Sequence, residues 1–144
     1  MSELTRKEVV VILKSGKNFQ RADLSGLDLR GFDFSEANLS EANLAGTVLT
    51  ETLLRGANMS STDLRLANLD GADLEGANLS RARLAGANLS SANLAKCDLS
   101  FFDIQQYEPA TIPNMTGANL AGALLKGVRF FWHPDGKIPR VPLP

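Results

Sequence analysis

Along residues 81–100 a leucine returns every fifth position, at Leu84, Leu89, Leu94 and Leu99, and few backbones accept that period. An α-helix turns about 100° per residue, so a five-residue step drifts by about 140° and winds the leucines around every side. A straight strand alternates its faces, so an odd step sends successive leucines to opposite sides. Neither builds one buried face. The period is satisfied when the chain changes direction once per quintet, so that each leucine points inward from a new side of a closed coil: a solenoid.

With the leucine as quintet centre, the pattern runs unbroken from Phe19 to Ile104 and restarts at Met115 through Leu120, Leu125 and Phe130. Of these 22 centres 16 are Leu and the rest Phe, Met or Ile, a uniformity that overrides any local secondary-structure propensity. The step from Ile104 to Met115 is eleven residues, two quintets and one more. The intervening "QQYEPATIPN" therefore reads as a one-residue bulge or a small loop at about 105–114.

The other quintet positions carry their own chemistry. Two before the centre the residue is Ala in 12 of 22 cases. Strand alternation points it inward beside the leucine, which implies a narrow interior. Between them stands an outward Asn or Asp, as at Asn38, Asn43, Asp63, Asn78 and Asn88. Asx side chains bond nearby backbone and suit a chain that turns often. Ten of the 12 glycines fall two after a centre, where a corner calls for tight or positive-φ backbone.

The motifs "ANLSS", "ADLEG" and "ANLAG" closely resemble the pentapeptide-repeat family, whose pattern is A-(D/N)-L-X-X, over roughly residues 17–132. The resemblance implies an all-β solenoid, a right-handed four-sided parallel β-helix with four quintets, about 20 residues, per coil. The count of four sides comes from the resemblance, since the period alone allows other corner numbers. Between five and six coils at ~4.8 Å each would make a rod about 27 Å long.

One domain is expected over residues 1–144: a helical cap at 1–16, the β-helix at 17–132 and a proline-rich tail at 133–144. At the N-terminus Thr5 and Glu8 form a capping-box pattern, with Leu4 and Val9 as a hydrophobic staple and Gly16 as a stop. The β-branched run Val9–Ile12 is poor for a helix, so this cap forms by docking on the first coil, a short capping strand being the alternative. Large inward residues gather near the ends (Phe19, Leu27, Phe32 and Phe34; Phe102, Val128 and Phe130), where they plug the open cross-sections. The tail holds four of the six prolines and cannot continue a hydrogen-bonded ladder. It is free to fold over the last coil, to join a twin as a homodimer through the solenoid end, or to extend.

A net charge of −1 gives no general attraction to nucleic acid or anionic membrane, so neither is an expected partner. The single Cys97 excludes an internal disulfide, lies two before Leu99 as a small core residue, and fits a reducing cytoplasm. The apolar run Val9–Leu13 is too short for a signal peptide or a membrane span. Catalysis needs polar groups converging in a concavity, and a solenoid filled with Leu and Ala offers none. His133, the only histidine, sits in the tail, and Cys97 has no matched histidine; a pocket joining His133 to Tyr107 is the remaining route to an enzyme. No metal or nucleotide motif occurs, so no catalytic residue, metal or cofactor is expected.

Function is therefore expected on the outside, as a rigid module for an unidentified protein partner. Some members of the resembled family imitate duplex DNA toward gyrase, which is the alternative. Stacking the chain at 20 residues tests it: one column reads Asp23, Asn43, Asp63, Arg83, Asp103, a second Asp33, Leu53, Asp73, Asn93, and a third Asn18, Asn38, Asn58, Asn78, Asp98. DNA carries a charge about every 1.7 Å, and none of these is a continuous acidic track. Val48 and Leu53 replace the outward Asx with apolar groups on adjacent sides of one coil, and Leu66 and Phe101 also point outward. These four are the candidate contact residues.

Overall fold

The computed structural model describes residues 4–100, 113–124 and 126. The chain winds as a four-sided coil in which each outward residue pairs in parallel with the one 20 positions on, as in Asn18↔Asn38, Asp23↔Asn43, Asp28↔Val48 and Asp33↔Leu53. The four faces are named by their inward leucine-position residues. The first holds Phe19, Leu39, Met59, Leu79 and Leu99. Leu24, Leu44, Leu64 and Leu84 stand on the second, Leu29, Leu49, Leu69 and Leu89 on the third, and Phe34, Leu54, Leu74 and Leu94 on the fourth. All are buried.

One quintet shows why the motif has its form. In Ala42–Gly46, the Ala42 N–H closes the preceding turn on Leu39 O (3.1 Å), Asn43 donates to Ala22 O of the coil below (2.9 Å), and Leu44 (2.8 Å) and Gly46 (2.8 Å) donate to Asp63 O and Arg65 O above. The Ala45 N–H alone has no backbone partner, and Asn43 Oδ1 accepts it at 3.1 Å. This quintet thus satisfies five donors, four by backbone and one by the Asx side chain, as buried or half-buried amides require. The same side-chain closure recurs at Asn58, Asn68, Asp73, Asn78 and Asn93.

Every described residue two after a centre, from Arg21 to Gly122, has φ between 55° and 71°. A left-handed third residue with an i+3 to i bond defines a type II turn. Glycine fills half of these corners. Arg, Glu, Ser, Lys and Leu fill the others at a conformational cost of about 1 kcal/mol each, which the ladder bonds outweigh.

Beyond Leu99 the period changes. Asn88 pairs with Asn114, Asn93 with Asn119 and Asp98 with Leu124, an offset of 26 rather than 20. A one-residue bulge would set Met115 over Leu94; these bridges set it over Leu89. The surplus is a whole quintet and one residue, which excludes the bulge reading.

Helix α1, Arg6–Ser15, closes the lower end. Its capping box is formed: Thr5 Oγ1 accepts from Glu8 N–H and the Glu8 carboxylate accepts from Thr5 N–H. These Thr5 bonds hold the Glu8 carboxyl below its ordinary range. Leu4 N–H reaches Asp23 O at 2.9 Å, Val9 is fully buried, and Leu4, Ile12 and Leu13 pack on the core. Arg6 lies 4.4 Å from the Phe32 ring centroid and hydrogen-bonds Asp28 O. Above them, in the first coil, Phe19 meets Phe34 edge-on at 5.3 Å and Phe32 meets Phe34 at 6.1 Å.

The interior holds a few polar atoms, each bonded. Thr52 and Thr62 hydroxyls donate to Leu29 O (3.2 Å) and Leu39 O (2.8 Å) of the coil below, and Thr47 donates to Leu44 O (2.7 Å). Cys97 occupies the same inward position, with Sγ 2.9 Å from Leu74 O.

Candidate interaction surface

Burial pushes the Cys97 thiol up to about 12, so it stays protonated and inert at neutral pH. Among the described residues no cluster of His, Cys, Asp and Glu is arranged to hold a metal ion, and no helix is long and apolar enough to cross a membrane. Phe101, Tyr107 and His133 lie outside the described residues, as do the inward residues expected at the far end.

The remaining candidates are brought out on different faces. Val48 stands half-buried on the third face, Leu53 is 44% exposed on the fourth, and Leu66 is 72% exposed at the corner between the second and third. Leu66 therefore stands apart from Val48 and Leu53, which lie on adjacent faces of one coil. Val11 on α1 and Leu124 are likewise exposed, and neither was singled out from the sequence.

The replaced Asx residues leave a mark on the backbone. Val48, Leu53 and Arg83 occupy Asx positions, and the N–H groups two further on, Thr50, Arg55 and Ala85, have no acceptor among the described residues. Each break therefore combines an outward side chain of unusual type with an open backbone donor. The 20-residue stacking already shows Leu53 and Arg83, and Val48 stands out as an outward apolar residue; their consequence appears only once the Asx side chain is known to close the fifth N–H.

Electrostatics differ by face. On the second, Asp63 lies between Arg65 Nη2 at 2.6 Å and Arg83 Nη1 at 3.3 Å. Burial pushes the Asp63 carboxyl up, but the Arg65 hydrogen bonds and the charges of Arg65 and Arg83 outweigh it and hold it low. On the fourth, Arg55 bridges Asp73 at 3.4 Å and Glu75 at 2.6 Å, and Lys96 joins Glu75 at 3.0 Å. The first carries only amides and hydroxyls from Asn18 to Ser80, with Asn38 Nδ2 donating to Asn18 Oδ1 at 3.2 Å. These exposed pairs are weak individually, and among the described residues no face presents a run of uncompensated carboxylates.

A closed parallel coil with a filled interior, left-handed corners and Asx-closed turns defines a β-helix solenoid of the repeat class, whose working surface is its exterior. The chain belongs to the pentapeptide-repeat family: the family model of pentapeptide repeats, in 8 copies, matches residues 18–56, 33–71 and 67–100. No curated protein matches it in sequence.

Among solved structures, a pentapeptide repeat protein from the Arabidopsis thaliana thylakoid lumen is 34% identical over 72% of this chain and 61% of its own, with a TM-score of 0.33. This chain therefore spans less than two thirds of that protein. A pentapeptide repeat protein from Nostoc is 29% identical over 83% and 98% of the two chains, with a TM-score of 0.41. QnrB1, a plasmid-mediated fluoroquinolone resistance protein, is 19% identical over 78% and 81%, with a TM-score of 0.36.

Proposed function

We propose that this chain is a non-enzymatic, rigid module for protein interaction, working in a reducing cytoplasm. The observation that carries the reading is the breaking of Asx closure at Val48 and Leu53, where an apolar side chain and an unpaired backbone N–H stand together on a stiff frame. Such a pair suits a protein partner, whose chain supplies both an apolar side chain and a carbonyl acceptor. The buried free thiol of Cys97 agrees with a reducing compartment.

The alternative, DNA mimicry toward gyrase, is not favoured. On the second face the acidic column ends at Arg83, whose Nη1 pairs with Asp63 while the rest of the guanidinium faces outward, and the first face is nearly neutral. A supercoiling assay with purified gyrase tests it, and no inhibition or protection is expected.

The interaction reading is tested by capture from lysate of the source organism with the intact protein and with Val48→Asn/Leu53→Asn. The substitutions restore Asx closure, so the fold is kept while the apolar groups are removed. A partner retained by the intact chain and lost by the variant is expected. Identical recoveries from both would overturn the assignment of this surface.

A further inference from the structure

The corner between the second and third faces has both a knob and a hole. Leu66 is 72% exposed and leans toward the coil above, where its Cδ2 would stand 2.7 Å from a Cβ on Gly86. One coil below, a Cβ on Gly46 would meet nothing within 4 Å, and a shallow hollow opens there, lined by Ala45, Gly46, Arg65, Leu66 and Ala85.

The flanking face adds donors at one height and a free acceptor at another. Arg83 stands in the fourth coil beside the open Ala85 N–H, and both are donors. In the first coil of the same face, Asp23 uses Oδ1 for the Ser25 N–H (3.2 Å), the Ser25 hydroxyl (2.7 Å) and Asn43 Nδ2 (3.0 Å), leaving Oδ2 free to accept.

We infer that this corner is a docking surface for a second copy of the chain, set antiparallel about a two-fold axis between the second and third coils. That axis brings the corner position of Leu66 in each protomer level with Gly46 of its partner, because the two occupy one corner column a single coil apart. The Leu66 side chain, leaning toward Gly86, reaches the same corner of the partner between Gly46 and Gly26. The axis also places Asp23 opposite Arg83 and the open Ala85 N–H, twice over, as an isologous interface demands. A corner contact of about four coils at ~4.8 Å each falls well short of the area of a stable dimer, so the association is weak and exchanging. The inference gives the interaction reading a partner at Leu66, a different surface from Val48 and Leu53, and the two are tested separately.

Sedimentation equilibrium of the full chain from about 10 µM to about 1 mM covers the range in which such an interface acts. A monomer–dimer equilibrium weakened by salt is expected. Leu66→Arg, a residue type that Arg21 and Arg81 already carry at equivalent corners, should raise the dissociation constant at least about tenfold. Asp23→Arg and Arg83→Asp should each weaken association, and the double exchange should restore it; circular dichroism checks that each variant is folded. A chain monomeric throughout, or a dimer indifferent to Leu66→Arg, overturns the inference while leaving lysate capture to judge the Val48 and Leu53 surface on its own.

Discussion

The first coil and the middle coils bury the same kind of position with different residues. In the middle, the sites two before the inward centres include Ala57, Ala67, Ala72 and Ala77, all fully or almost fully buried. In the first coil two of the four such sites hold Leu27 and Phe32, backed by Phe19 and Phe34. The difference lies in what covers them. A neighbouring coil sits ~4.8 Å away and leaves room for a methyl group, whereas a helix packs at about 8–10 Å and leaves a gap that only large side chains fill. Side-chain size in this fold is set by the height of the next layer.

That contrast can be broken most severely in the middle. Leu74→Ala should cost about 3–4 kcal/mol, because ladder bonds on both sides keep the coil from collapsing into the cavity; urea denaturation would show the loss. Ala77→Leu should cost about 1–3 kcal/mol by overfilling, whereas Phe32→Leu at the first coil should cost less than about 1.5 kcal/mol because α1 can settle inward. Equal losses at the two sites would refute the layer-height argument.

Thr5→Ala should remove about 1 kcal/mol and reduce amide protection in α1 while leaving the middle coils protected. Hydrogen exchange followed residue by residue separates the two regions.

Acid titration should give the mildest contrast. Arg30 hydrogen bonds, aided by charge from Arg30 and Arg6, lower the Asp28 carboxyl to about 2. A folded value below the unfolded one means that this stabilisation is present above about pH 4 and is lost as pH falls toward 2. Asp28→Asn should flatten that part of the acid-unfolding curve, with little effect at pH 7 because the site is exposed.

Much of the fold was legible because its period is incompatible with helix or flat strand, and because Thr5, Glu8 and Gly16 spell a helix in the same local language. The corners were only half legible. Glycine announces a positive φ at Gly46 or Gly86, but Glu51, Arg81 and Leu66 adopt the same conformation against their preference, held by bonds to other coils that a local reading does not contain. The offset beyond Leu99 was hidden for a related reason: counting residues gives the surplus modulo five, while only the ladder shows which leucine Met115 lies on. For the surface, Val48, Leu53 and Leu66 were visible as rule-breakers, whereas the open N–H at Ala85 required knowing what the Asx side chain does.

The 26-residue coil also bears on how such a chain tolerates change. Asn114 returns to Asn88 and Asn119 to Asn93 with amide bonds of 3.1 Å in both cases, much like the 3.1 Å of the regular Asn88–Asn68 pair. Phase is therefore re-established by contact with the preceding coil, which serves as a template, and an extra stretch of sequence adds length without corrupting the coil stacked above it. A fold that copies its alignment from the layer beneath is error-tolerant in the manner of a growing crystal, and new segments can enter at a turn without redesign of the coils on either side.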